Sequence, residues 1–188
     1  EEADNESKLT GADLTLRKSV DSWLKLEVSE TEGPGTTTLG SNTGGFDFAT
    51  AGTGAVTDSP AGAYRIGASV GLSDFFENAK GRISLYRQNL EAGYSAPGLL
   101  ASRDIDQYGG EFSAPVGEQW FVRGMSDKKV EDEGLVTSAE ELDVDYTLDE
   151  HWTLSSGIRH ENRKDNSPVV PLTQRLGSRS DIKVQGSY

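Results

Sequence analysis

Cysteine is absent from all 188 residues, which removes disulfide scaffolds, thiolate metal centres and thiol catalysis together. Large apolar side chains are scarce: hydrophobic residues make up 34% and mean hydropathy is −0.55. A water-soluble fold would have to build its core from that short supply. Bases are few, 18 against 31 acids, for a formal charge of −13. Phosphate backbones need clustered Lys and Arg, so nucleic acid is not an expected partner. No apolar run approaches the roughly twenty residues of a membrane helix. That absence does not touch barrels, whose strands need about nine to eleven residues with only every second one apolar. The opening "EEADNESK" lacks the basic and apolar segments of a secretory signal, so the expectation is an intracellular chain or one from which a signal has been removed.

What is present is alternation. Around "DVDYTLDEHWTLSSGIRH", Asp143 to His160, apolar residues recur at every second position on both sides of the "DE" centre: Leu142, Val144, Tyr146 and Leu148, then Trp152, Leu154 and Ile158. A period of two belongs to extended strands, so the stretch predicts two strands and a tight turn, with one apolar and one charged face. The unit recurs. In "TGADLTLRKSVDSWLKLEVSE", Ala12, Leu14 and Leu16 precede the "SVDS" turn and Leu24, Leu26 and Val28 follow it. "AYRIGASVGLSDFFENAKGRISLYR" sets Tyr64, Ile66, Ala68, Val70 and Leu72 in phase, turns near Asp74 to Asn78, and returns with Ile83 and Leu85. "DQYGGEFSAPVGEQWFVRG" carries Tyr108, Phe112 and Ala114 into a turn and resumes with Trp120 and Val122. The closing "SDIKVQGSY" alternates Ile182, Val184 and Tyr188 with Asp181, Lys183 and Gln185, which makes nine strand-like segments and no helix pattern.

Short connections at "SVDS", "SDFFENA", "SAPVGEQ" and "LDEH" alternate with longer ones near 33–61, 95–102, 127–138 and 161–178, rich in Gly, Pro, Ser, Asp and Glu. Turns at one end and loops at the other suit an up-and-down meander or barrel, whereas a Greek-key sandwich has no need of that segregation. All three tryptophans, Trp23, Trp120 and Trp152, follow short turns by one or two residues, and Phe75 with Phe76 occupies the fourth short turn. Aromatics in such places either plug a soluble core or form a girdle between lipid and water. Their coincidence at one end favours an interfacial girdle of Trp23, Phe75, Trp120 and Trp152.

The opposite phase supplies a lumen-lining set: Asp13, Arg17, Lys25, Glu27, Arg65, Arg82, Glu111, Arg123, Asp143, Asp145, Arg159, Asp181 and Lys183. Seven bases against six acids suit the inside of a narrow barrel, where neighbouring strands bring opposite charges close enough to pair. An ordinary solvated sheet face would carry mixed charge as well. The apolar phase separates the two readings. Its small residues, Ala12, Ala68, Gly110, Gly124, Ser156 and Gly186, would leave voids in a packed core but are tolerated by acyl chains, which adapt to them. Arg87 continues the phase of Ile83 and Leu85, and from its place far from the short turn it is expected to snorkel to the outer interface.

With these features, the chain from Lys8 onward resembles the outer-membrane β-barrels of Gram-negative bacteria. "YTLDEHWTLSSGIRHENR" resembles the strand–turn–strand units of porin-like and TonB-dependent receptor barrels, in which an aromatic strand end, an Asp-rich turn and a Trp open the next strand; Tyr188 supplies a terminal aromatic. The resemblance is one of class. It singles out no transported substrate, and no plug or peptidoglycan-binding domain is recognisable in the sequence. It implies an all-β fold, an antiparallel up-and-down transmembrane β-barrel of about eight to ten strands or a segment of a larger barrel. The implied place is the bacterial outer membrane and the implied role a passive, porin-like channel or a structural membrane protein. Implied partners are membrane lipid and lipopolysaccharide, ions or small solutes, and further barrel strands or a partner chain. Residues 1–188 read as one barrel unit, with 1–7 a disordered acidic tail and 33–61 a long Gly/Thr-rich loop. Nine strands put the first and last ends on opposite sides, whereas single-chain bacterial barrels have an even number and both termini in the periplasm. The expectation is therefore a piece of a larger barrel, a shortened chain, or a further strand concealed around 44–51.

Catalysis and cofactors are not expected. His160 and Ser156 lie four apart in one strand phase, about 13 Å in an extended chain, too far for a nucleophile–base hydrogen bond. No Gly-x-Ser-x-Gly elbow or metal-type His pair occurs. "EDE" at Glu131 to Glu133 lacks the spacing of a calcium loop and reads as a solvated charge run. The alternatives are a secreted acidic β-sandwich or adhesin-like module that holds a glycan or protein with its long loops, and a soluble lipocalin-like barrel around an apolar ligand.

Overall fold

Alternating side chains make strands here because each extended segment has one face to hide and one to solvate. In the computed structural model, which describes residues 8–33, 39–40, 49–50, 59–96, 99–167 and 176–188, nine principal strands follow. They are β1 (Lys8–Arg17), β2 (Trp23–Glu32), β3 (Ala61–Gly71), β4 (Arg82–Leu90), β5 (Ile105–Val116), β6 (Trp120–Glu131), β7 (Leu135–Thr147), β8 (Thr153–Asp165) and β9 (Gly177–Ser187). Each pairs antiparallel with the next, so one nine-stranded sheet runs in chain order, an up-and-down meander. Two-residue ribbons, Leu39–Gly40 with Ala49–Thr50 and Ser95–Ala96 with Leu99–Leu100, lie outside it. The described residues contain no α-helix, only two short 3₁₀ turns. The sheet is open, with β1 and β9 at its edges, so of the two forms expected, a closed barrel or a segment of a larger one, the closed barrel is not formed among the described residues. Most of the concealed strand expected around 44–51, and the tail 1–7, lie outside the described residues.

Two expected long loops are corrected. The stretch 127–138 is mostly strand: β6 runs to Glu131, β7 starts at Leu135, and a 3₁₀ turn at Asp132–Gly134 joins them, with Gly134 at φ 106°. Here Lys128 stands opposite Ser138 and Lys129 opposite Thr137, so both faces are polar and the alternation fades while the backbone ladder continues. Likewise β8 continues to Asp165 and β9 resumes at Gly177.

Register aligns every apolar phase. Leu14 faces Leu26, which faces Ile66; Ala68 faces Leu85; Ile83 faces Phe112; Val122 faces Val144; Leu142 faces Ile158, which faces Ile182. Directly opposed residues share a face, so all nine strands present one apolar surface, and its large side chains are exposed, from Ile66 to Val184. Glycines on this surface are covered by neighbours. Phe112 lies over Gly124 and Leu85 over Gly110, where a Cβ would collide with the covering side chain.

The register also slides. A line of opposed residues from Arg17, the last residue of β1, passes through Trp23, Ser69, Ser84, Glu111, Met125, Glu141 and Arg159 to Asp181, six positions short of the end of β9 at Ser187. Six residues of rise over eight inter-strand steps is roughly 20 Å against 38 Å, a tilt of about 27° to the row of short turns. Trp120 to Lys128, Leu148 to Glu140 and Trp152 to His160 each span eight residues between the short-turn end and a polar outward position. At that tilt the apolar band is about 24 Å high.

Buried apolar residues lie elsewhere. Ala61, Leu90, Tyr94 and Ala101 form a small cluster, joined by Ala63, Ala96 and Ile105, at the long-loop end. The loop after β4 folds inward there: the Tyr94 hydroxyl is 2.7 Å from Ser29 Oγ, and the Ser95 N–H donates to Thr31 Oγ1 at 3.1 Å.

Candidate functional site

The polar phase is the second face of the same sheet. By register, every member of the sequence-derived lumen set occupies it, from Asp13 opposite Glu27 to Lys183 opposite Gly157. This face is the concave one: a cavity of about 740 Å³ takes lining residues from seven strands, β2 through β8, whereas the more open depression on the apolar face draws on four, β4 through β7. Concavity crowds inward side chains, and glycines relieve the crowding by leaving a strand bare so that its two neighbours meet across it. Tyr86 on β4 reaches over Gly109 on β5 and donates its hydroxyl to Asp127 on β6. Lys183 on β9 reaches over Gly157 on β8 to Glu141 on β7 at 2.8 Å, with Asp143 at 3.7 Å.

Charge pairing is extensive. Arg82 meets Glu111 at 3.2 Å, Arg123 meets Asp145 at 3.2 Å, Arg159 meets Glu141 at 3.3 Å, and Lys25 meets Glu27 at 2.7 Å. Asp181 is held by Arg179 at 2.9 Å instead of by its opposite neighbour Arg159. Asp13 and Arg17 share the face but form no ion pair among the described residues. Glu141 was not in the sequence-derived set, yet it accepts both Arg159 and Lys183 and its side chain is only 15% exposed. Its signal was weak: an odd-numbered acid in the charged phase, just beyond the clear alternation of β7. Tyr86, Asp127 and Gln107 were missed as well; Gln107 donates to both Tyr86 and Asp127 at 3.1 Å. What makes them a cluster is Gly109 on the intervening strand, which local pattern does not reveal.

Of the four aromatics expected to form a girdle, one stands on the other face of the sheet. Trp120 and Trp152 stand in the apolar phase at the short-turn end, each 47% exposed. Trp120 lies 4.4 Å from the Tyr146 ring, and Tyr188 lies 4.9 Å from Trp152. Phe75 sits in its short turn with Lys18 Nζ 4.0 Å above the ring. Trp23 belongs to the other face: it opposes Arg17 and Ser69, and its indole covers Gly67, 3.2 Å from where a Cβ would stand. Position decides this. Trp23 lies one residue before the apolar phase of β2 begins at Leu24.

Two short turns are clasped together. Asp74 accepts the Ser19 hydroxyl at 2.5 Å, Lys18 donates to the Asp74 carbonyl at 2.6 Å, and the Gly71 N–H donates to Ser22 Oγ at 2.9 Å. The Ser19 and Ser22 hydroxyls hold the Asp74 carboxyl below its ordinary value. In the next turn but one, Asp149 accepts the N–H groups of His151 and Trp152 at 2.8 and 2.9 Å, which fixes the "LDEH" turn.

His160 finds its serine partner on a neighbouring strand: Nδ1 is 2.9 Å from Ser180 Oγ on β9. Glu131 of the "EDE" run is taken by Lys129 at 2.5 Å, and no cluster of potential metal ligands occurs among the described residues. Comparison with family models, with curated proteins and with solved structures returned no match.

Proposed function

We propose that this chain is the wall of a bacterial outer-membrane β-barrel, acting as a passive porin-like channel or a structural membrane protein without catalysis. One observation carries the reading. Nine strands hold their apolar residues on one exposed surface and their charges on the concave surface, inverted relative to a fold that hides its apolar side chains from water. Lipid is the solvent in which such a surface is stable. Support also comes from the band height of about 24 Å, close to the roughly 25 Å of outer-membrane barrels, and from the aromatics at its lower border. The stagger tilts the strands in the sense ring closure needs, at about 27° against the roughly 35–45° of closed barrels. Closure itself needs the edges β1 and β9 to be satisfied, by each other, by further strands or by a partner chain. The soluble sandwich and the lipocalin-like barrel both need the apolar face covered, and no second layer covers it among the described residues.

The test is detergent dependence. The chain is refolded with and without micelles and compared by far-ultraviolet circular dichroism and by gel mobility of boiled and unboiled samples. Sheet signal and heat-shifted mobility only with detergent support the proposal; a cooperative, monodisperse fold in plain buffer refutes it. In planar bilayers, replacing Arg65, Arg82 and Arg159 with Ser is expected to shift the reversal potential toward cation preference.

A further inference from the structure

The concave cavity contains one cation that no acid neutralises among the described residues. Four bases line it, Lys25, Arg65, Arg82 and Arg159, with three acids, Glu27, Glu111 and Asp127. The acids are all engaged: Glu27 by Lys25, Glu111 by Arg82, and Asp127 by the Tyr86 hydroxyl and the Gln107 amide. Arg159 is committed to Glu141. Arg65 has no carboxylate within ion-pair distance among the described residues, although Glu27 stands opposite it in register.

What Arg65 does have is Tyr86, whose ring centroid lies 5.4 Å from the guanidinium carbon. A cation–π contact of this kind engages no N–H group with an acceptor, so the guanidinium keeps the edge that grips a carboxylate with two parallel hydrogen bonds. Beside it, the Trp23 indole lies over Gly67, and Gly67 stands opposite both Lys25 and Tyr86. Met125 adds a soft, polarisable wall. The cavity therefore offers the Trp23 indole, an apolar side and one planar cation with no acid partner among the described residues, within the volume range of small-molecule sites. In a chain of net charge −13, such a point attracts an anion against the overall field.

We infer that this cavity binds a small planar carboxylate, its ring against the Trp23 indole and its carboxylate on the edge of Arg65, which the Tyr86 ring backs. The inference stands on the concave face alone and holds in lipid or in water. The test uses radiolabelled benzoate in equilibrium dialysis against the full chain, refolded in whichever medium gives the sheet signal, with benzyl alcohol and acetate as competitors. Saturable benzoate binding is expected, displaced weakly by either competitor, since each satisfies half of the site. Arg65→Gln should weaken it about tenfold, and Arg65→Lys by less. Trp23→Leu should weaken benzoate more than acetate. Arg179→Gln, which removes the same charge on the same face outside the cavity, should leave binding unchanged. No saturable binding by a protein with the wild-type sheet signal overturns the inference, as does equal weakening by Arg65→Gln and Arg179→Gln, which would reduce the effect to overall charge.

Discussion

Placing an arginine at Val144 distinguishes a lipid-facing surface from a wet one. Val144 stands opposite Ser156, four residues beyond Trp152 on β8, which is about 13 Å along the strand and about 12 Å in height at the tilt given by the stagger. That is the middle of a band about 24 Å high. An arginine at the midplane of a barrel wall costs about 2–4 kcal/mol, falling to about 0–1 kcal/mol near the interfaces. Leu148, in the short turn at the level of Trp152 and 54% exposed, is the interfacial control. Expected values are therefore about 3 kcal/mol for Val144→Arg and under about 1 kcal/mol for Leu148→Arg. The assay is reversible urea unfolding in phospholipid vesicles, followed by tryptophan fluorescence. On a water-facing sheet, substitutions of this kind stay within about 0.5–1 kcal/mol at both positions. Equal costs at the two sites would refute the assignment of the apolar face to lipid, whatever their size.

Gly157→Val should destabilise by about 2 kcal/mol, because its side chain displaces the Asp143 carboxylate and closes the gap through which Lys183 reaches Glu141; in a Lys183→Met background the same change should cost less, read by the same unfolding assay. Asp74 titrates in the clasp between two turns, outside the strands. Its folded pKa is lowered, so its contribution is fully present above the ordinary carboxylate range and is lost as pH falls through the folded value. Stability of the wild type should therefore drop below about pH 4 more steeply than that of Asp74→Ala. Tyr94→Phe leaves Ser29 without its partner and should cost about 1 kcal/mol, with faster hydrogen exchange at the Gly93 and Ala101 amides, which bond within the same loop.

The strands and their phases were legible because a period of two survives wherever one face is apolar and the other polar. Leu142 to Leu148 shows this most clearly, and in β7 the register sets those residues against the equally apolar phases of β6 and β8. Legibility stopped at the upper edge of the band. From Ser126 on β6 and Glu140 on β7 both faces are polar, so the remainder of each strand read as loop although its hydrogen-bonded pairing continues to Val130 and Val136. The charged face was legible as a set of residues but not as a set of pairs. Which acid Lys183 takes depends on Gly157 being bare, and that is a property of three strands at once. Trp23 misled for a similar reason: its proximity to a turn was visible, while its side of the sheet rested on a single position of phase.

The height of the apolar band has a consequence for where the chain is at home. A typical bilayer has a hydrocarbon core about 30 Å thick, and a wall whose greasy surface is shorter must thin the lipid around it or lose contact at its rim. Each ångström of hydrophobic mismatch costs a fraction of a kcal/mol, so a deficit of about 6 Å amounts to a few kcal/mol. The ionic pair of Arg87 with Asp106, two hydrogen bonds of 3.1 and 3.0 Å on the outward phase, makes the rim unyielding, because a thicker membrane would have to swallow it. If the surface faces lipid as proposed, short-chain phospholipids match it best, and thin membranes hold it more readily than thick ones.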